Sequence, residues 1–284
     1  MAEGQYKWGV VIIACMAIFI IVLDSSAMNV AITTLVKDLN TTLSIIQAII
    51  ALYALIIASF MLLGSKLQDI LGRKKTFLTG LLIYASGTTI ATLSINAPML
   101  LLGWAVLEGI GAAMMFPATT TIVGASYQGK DKITAFGIWG GIAAMGAAIG
   151  PIVGGIFTTY LSWRLVFGSE LLFVALILIF RGYLTESQPT LEWKDLDVVG
   201  AILSIVSLIL IVLGILFLTK PEYWAYVVVL LLSGSILFAV FLLWQRRRIN
   251  KGLEPLSDIS LLKNRIFGLG NLNSILQQIP LAGF

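Results

Sequence analysis

Three carboxylates stand in stretches of sequence that are otherwise apolar: Asp24 in VLDSSAMNVA, Glu108 in WAVLEGIGAAMMFPA and Glu170 in SWRLVFGSELLF. An Asp at the centre of a lipid-spanning helix costs roughly 2.5–3.5 kcal/mol on insertion scales, so intramembrane acids face a protein interior or a water-filled cavity and are read first as functional. No Lys or Arg falls well inside any of these apolar stretches. A carboxylate with no cation beside it in a medium of low dielectric favours its protonated form and releases the proton when water or a cation arrives. That is the chemistry of a proton-coupled carrier. The bland alternative is a buried hydrogen-bonder, and Ser25, Ser26 and Asn29 are candidate partners of Asp24. Asp24 is read as a coupling residue, Glu108 stands open between the two readings, and Ser26, Asn29 and Glu170 are read as possible support.

These acids need elements that carry them. The chain has 284 residues, of which 59% are hydrophobic and 11% charged. A soluble domain holds about 25% charged residues, so the composition excludes a soluble globular protein and implies an all-α polytopic membrane protein. With no histidine and a single cysteine, Cys15, the chain offers no disulfide, no usual metal ligand set and no evident catalytic cluster, so an enzyme is not indicated. The net charge of +4 reflects loops rather than nucleic-acid binding. No cleavable leader is evident, and the first span is expected to remain in the membrane.

Eight spans are expected: Trp8–Val36, Leu43–Leu63, Thr76–Leu93, Met99–Ala125, Thr134–Tyr160, Leu165–Phe180, Val198–Leu218 and Trp224–Trp244. With a cytoplasmic N-terminus, only Lys37, Arg164 and Lys220 of the 18 basic residues fall on the outside, and the alternation holds through all eight. At 1.5 Å rise per residue, Asp24 lies about 24 Å from the inner end of span one, Glu108 about 14 Å and Glu170 about 8 Å from the outer ends of spans four and six. Asp24 and Glu108 therefore share a level, with Glu170 shallower. Arg164 is six residues from Glu170, which is poorly placed for a pair within one helix. Aromatic and Met side chains such as Tyr53, Trp104, Met115, Phe116 and Trp139 serve equally as cavity lining or packing.

Polar linkers at residues 185–197 and 245–265 divide the chain into a six-helix bundle over 1–182, a linker with an inserted helix pair over 183–250, and a linker with the start of an incomplete further bundle over 251–284. A ninth apolar run begins at Ile266 or Phe267, and the chain is expected to end inside it at Phe284.

The loop GSKLQDILGRKKTF resembles the signature G-x-L-x-D-x-x-G-R-K of the major facilitator superfamily through Leu67, Asp69, Gly72, Arg73 and Lys74, with Ser65 at the first Gly. Span five, GIAAMGAAIGPIVGG, is similar to that superfamily's antiporter motif at Gly146, Gly150, Pro151, Gly154 and Gly155. Read from the residues alone, three glycines at i, i+4 and i+8 allow close helix approach, and Pro151 invites a kink. Span four resembles the R-x-x-Q-G-x-G motif through Gly109, Gly111, Ala112 and Ala113, with Ala105 in place of the Arg and Glu108 in place of the Gln. VLDSSAMNVAI resembles the first-span motif of the fourteen-span drug:proton antiporters at Leu23, Asp24, Asn29 and Ala31, with Thr33 where that motif has Pro.

The resemblance implies a major facilitator fold: an N-terminal six-helix bundle, an inserted pair and a C-terminal bundle barely begun. It implies the N-terminal part of a multidrug efflux antiporter in the plasma membrane, exporting apolar or cationic compounds by alternating access. The proton gradient would be the energy source, with no cofactor. The partners implied are a small-molecule substrate, the lipid bilayer and a missing C-terminal bundle on the same or a second chain. Asp69, Gly72, Arg73 and Lys74 would form a cytoplasmic gate latch, with Asp69 and Arg73 able to pair as a charged bolt. Glu170 would be structural, because sixth spans are peripheral in that fold. The alternatives are a facilitator of a small metabolite and a non-transporting half that needs a second chain.

Overall fold

A computed structural model describes residues 3–218 and 221–282. Among these residues there is no strand. Eleven α-helices follow one another: α1 Glu3–Val30, α2 Ile32–Asp38, α3 Leu43–Leu71, α4 Arg73–Thr92, α5 Ala97–Leu100, α6 Gly109–Ser126, α7 Gly129–Tyr160, α8 Arg164–Phe180, α9 Val198–Phe217, α10 Trp224–Asn250 and α11 Arg265–Ala282. A π-helical segment, Leu101–Glu108, joins α5 to α6 without a break, so that Ala97–Ser126 forms one 30-residue span.

Local chemistry sets the ends. The Thr42 side chain accepts from Ile45 N at the start of α3, and Asn96 Oδ1 accepts from Met99 N at 2.9 Å with Pro98 in the first turn. Gly72, at φ 88°, closes α3 and opens α4. A side chain there is strained by the backbone and would also meet the Ser187 carbonyl at 2.6 Å. The first expected span is interrupted at Ala31, between α1 and α2, although the Pro of the similar motif is absent. α7 runs unbroken through Pro151.

Among the described residues seven helices are long and apolar enough to cross a membrane, which bears out the polytopic all-α reading. The third expected span is not among the seven. It is the 20-residue α4, which opens on Arg73, Lys74 and Lys75 and carries five threonines. Its polar residues lower its apolarity, and several of them face protein: Tyr84 and Thr88 are fully buried. α11, the ninth expected run, is also outside the seven, with Asn271, Asn273, Gln277 and Gln278 breaking its apolar sequence. Lys220 and residues 283–284 lie outside the described residues, as do the side chains of Lys7 and Lys263.

The chain divides into two compact units, 1–192 and 193–284. The first therefore extends ten residues past the expected bundle boundary at 182. Its last stretch is bonded to the α3–α4 turn: Thr190 N and Leu191 N donate to Asp69 O at 2.8 and 3.0 Å, and Arg73 N donates to Ser187 Oγ at 2.7 Å. In the second unit α9 and α10 pack together through Gly214 and Gly234. At one end of this pair, buried Asp197 accepts from Gly200 N, Trp244 Nε1 and Gln245 Nε2, with Arg248 Nε at 3.6 Å.

Candidate functional site

Two glycine seams bring the first unit's helices into backbone contact and so position the acids. Gly146, Gly150 and Gly154 of α7 face α1: a Cβ at Gly146 would lie 3.1 Å from Phe19 O, one at Gly150 would meet Ser26 Oγ, and one at Gly154 would lie 2.5 Å from Ala27 O. Asp24 sits on the stretch of α1 held by this seam. The second seam joins α4 to the π segment and α6. A Cβ at Gly87 would run into Glu108 N and Gly103 O, and one at Gly111 into Tyr84 N. This contact sets Tyr84 and Thr88, one turn apart on α4, beside the span that carries Glu108.

Asp24, Glu108 and Glu170 meet in the interior of the unit. All three are buried, at 0%, 0% and 1% exposure, and each offers one oxygen such that the three atoms lie within 4.8 Å of one another. Each also accepts one hydrogen bond from a neutral donor: Asp24 Oδ2 from Trp104 Nε1 at 2.6 Å, Glu108 Oε2 from Thr88 Oγ1 at 2.9 Å, and Glu170 Oε2 from the Tyr84 hydroxyl at 2.7 Å. Asp24 Oδ1, Glu108 Oε1 and Glu170 Oε1 are buried with no partner at hydrogen-bond geometry, and the buried Tyr53 hydroxyl lies beside Asp24. The Tyr53 ring stacks on Trp104 at 5.3 Å between centroids, and Phe167 meets Trp104 edge-on at 5.8 Å. The acids are thus walled by aromatic rings.

The shared level expected for Asp24 and Glu108 matches their proximity here. Three expectations are corrected. Glu170 is not peripheral, since its carboxylate joins the other two. Ser26 and Asn29 do not serve Asp24: Ser26 Oγ donates to Val22 O, Leu23 O and Gly146 O, and Asn29 Nδ2 donates to Ser25 O. Both bond backward to carbonyls of preceding residues, as polar side chains within helices readily do. At the gate turn, Asp69 pairs with Lys66 at 3.9 Å, three residues back on the same helix, rather than with Arg73 beyond the Gly72 break. Lys74 and Lys75 flank the small cleft that this turn forms with Glu186–Pro189.

Arg164 is engaged away from the acids, with Nη2 donating to Ser94 O at 2.8 Å and Nη1 at 3.7 Å from Asp38. Ala105 is fully buried, and Gly155 lies 3.9 Å from Val30 when given a Cβ. The sequence reading missed Thr88 and Tyr84 as site residues. An open groove of about 400 Å³ lies between α1, α7 and α8, lined by Cys15, Met16, Phe19, Ile142, Met145 and Phe173 with Val11, Ile12 and Ile138.

The family model described as Major Facilitator Superfamily matches residues 14–244. The chain belongs to this superfamily. Its curated relatives include the riboflavin transporter RibZ of Clostridioides difficile, 28% identical over 97% of this chain and 59% of RibZ. The cephamycin export protein CmcT of Amycolatopsis lactamdurans is 30% identical over 95% of this chain and 56% of CmcT. The multidrug transporter protein MdtP of Bacillus subtilis is 28% identical over 94% of this chain and 49% of MdtP. This superfamily member thus spans about half the length of the curated relatives it matches. Among solved structures, the peptide transporter POT in complex with sulfate is similar in fold, with a TM-score of 0.63 at 17% identity over 87% of this chain and 54% of that chain.

Proposed function

We propose that this chain is the N-terminal part of a proton-coupled exporter of apolar or cationic compounds that works by alternating access. The observation that carries the reading is the buried trio of Asp24, Glu108 and Glu170 with no Lys or Arg bonded to it among the described residues. Each carboxylate has a neutral donor on one oxygen and a free second oxygen, the arrangement of a group that takes up and gives back a proton. The names of CmcT and MdtP support export of organic compounds. The groove between α1, α7 and α8 has the volume of a drug-sized ligand, and its Met and Phe lining adapts to varied apolar shapes. Alternating access needs a second bundle for the first to rock against, on the same or another chain. The α3–α4 turn, with Asp69, Gly72, Arg73 and Lys74, is the segment to latch the first bundle's inner end.

The test is efflux of a cationic dye from cells expressing the complete reading frame. Export should collapse with a protonophore and fall at least tenfold in Asp24→Asn at equal membrane abundance. Export indifferent to both treatments overturns the coupling. A second reading, a facilitator of a neutral metabolite, is favoured by the name of RibZ. It predicts riboflavin flux that follows the concentration gradient and survives the protonophore.

A further inference from the structure

We propose that residues 185–191 form a releasable strap that caps the α3–α4 turn and must leave it before the turn can move. A helix leaves its last carbonyls and its first amides without partners of its own. The Asp69 carbonyl is such a group at the end of α3, and the Arg73 amide is one at the start of α4. Gly72, between them, has no side chain to offer either. The strap supplies both partners. Ser187 Oγ, 114 residues further along the chain, accepts from Arg73 N at 2.7 Å, the service of an N-cap hydroxyl. Thr190 N and Leu191 N donate to Asp69 O at 2.8 and 3.0 Å. Pro189 lies between the two anchor points, where it limits the conformations lost on docking and brings no N–H to satisfy.

The turn is shaped for the strap. A Cβ at Gly72 would lie 2.6 Å from the Ser187 carbonyl oxygen, so the strap comes to a distance that only glycine allows. The hold is nevertheless light. No residue from 185 to 191 is buried, and hydrogen bonds at exposed positions without apolar anchors belong to the segments that open locally at low cost. Leu184 is buried in the core and fixes the root of the strap, and the chain passes into the second unit at Trp193. A segment with a fixed root, an exposed shaft and two light points of attachment comes off and returns to the same place. While it is docked, the backbone is bonded on both sides of Gly72, so the turn cannot hinge at the glycine without breaking those bonds. The gating role rests on the transport reading, in which Asp69, Gly72, Arg73 and Lys74 latch the first bundle.

The complete reading frame is tested in a Cys15→Ala background with Lys75→Cys and Gln188→Cys, two residues that line the cleft of about 90 Å³ between turn and strap. In detergent, a short bismaleimide should bridge the two thiols in most molecules, read by intact mass as one linker per chain rather than two. Ser187→Ala with Thr190→Pro removes the cap and one amide donor, and should lower the bridged fraction at least threefold at an unchanged elution profile. Ser187→Ala alone should give part of that fall, and Thr190→Ala, which keeps the amide, none. The bridge should slow hydrogen exchange of the Thr190 and Leu191 amides at least tenfold. In cells it should slow dye export at least tenfold, relative to the same protein with both thiols capped by a monofunctional maleimide. A missing bridge, or bridging indifferent to Ser187→Ala with Thr190→Pro, overturns the docking. Exchange or export indifferent to the bridge overturns the release. Export that ignores a protonophore counts against the proton-coupled reading alone, and in a protein that exports no dye the transport reading falls while exchange decides the strap.

Discussion

At the scale of single residues, the indole of Trp104 links the acids to their surroundings. Fully buried, it donates to Asp24 at 2.6 Å, stacks on Tyr53 and meets Phe167 edge-on. A buried hydrogen bond to a carboxylate is worth about 1.5–3 kcal/mol. Trp104→Phe keeps most of the ring contact and removes the indole donor to Asp24. Its melting temperature in detergent should fall by several degrees. Trp139→Phe is the control, since its half-buried indole donates only to the Thr119 hydroxyl at 3.2 Å, and the shift there should be less than half as large. Equal shifts would mean that the Asp24 bond contributes nothing special. The acids themselves were legible in the sequence as charges in apolar runs. Their donors were not, because Trp104 and Tyr84 lie 80 and 86 residues from the groups they serve. Counting 1.5 Å per residue gives depth along an axis but neither the rotation nor the tilt of the helix, and Glu170 was set too shallow for that reason.

At the scale of elements, the glycines of α7 divide by face. Gly146, Gly150 and Gly154 are buried against α1, whereas Gly137, Gly140 and Gly141 have nothing within 4 Å of an added Cβ. Gly150→Val would press two methyls into Ser26 and Leu23 O, and overpacking of this kind costs about 1–3 kcal/mol. It should lower the yield of folded protein in gel filtration, and Ser26→Ala should restore part of the loss by clearing the nearest atom. Gly140→Ala should be neutral or raise the melting temperature slightly, since Ala gains about 1 kcal/mol over Gly in a helix. A destabilised Gly140→Ala beside a stable Gly150→Val would reverse the assignment of faces. This seam was readable from spacing alone, because i, i+4 and i+8 identify a face whatever the partner. The partner was not readable, and neither was the second seam, whose glycines at 80, 87, 103 and 111 are spread over two helices with no common period. The π segment also escaped the sequence: its residues, LLGWAVLE, differ in no propensity from an ordinary apolar helix.

At the scale of the whole molecule, the sidedness of the loops depends on α4. Charge alternation requires eight crossings before residue 250, yet among the described residues seven helices are apolar enough by themselves, and α4 is the eighth. Burial resolves the tension in favour of a crossing. Phe77, Leu81, Tyr84, Thr88 and Ala91 are all fully buried, so the polar groups of α4 are spent on protein contacts rather than shown to lipid. A helix shielded in this way tolerates a composition that an isolated span does not. The consequence can be measured with the single cysteine removed. In a Cys15→Ala background, Ile95→Cys, 75% exposed in the turn after α4, and Gln128→Cys, exposed in the turn before α7, are separated by one further span, Ala97–Ser126. With a cytoplasmic N-terminus, an impermeant maleimide should label Ile95→Cys on intact cells and Gln128→Cys only after the membrane is opened. Lys74→Cys, at the other end of α4, fixes the crossing itself: it should label with Gln128→Cys and not with Ile95→Cys. Labelling of Lys74→Cys and Ile95→Cys from the same side would mean that α4 does not cross. The basic residues would then lose their alternation between the two sides of the bilayer.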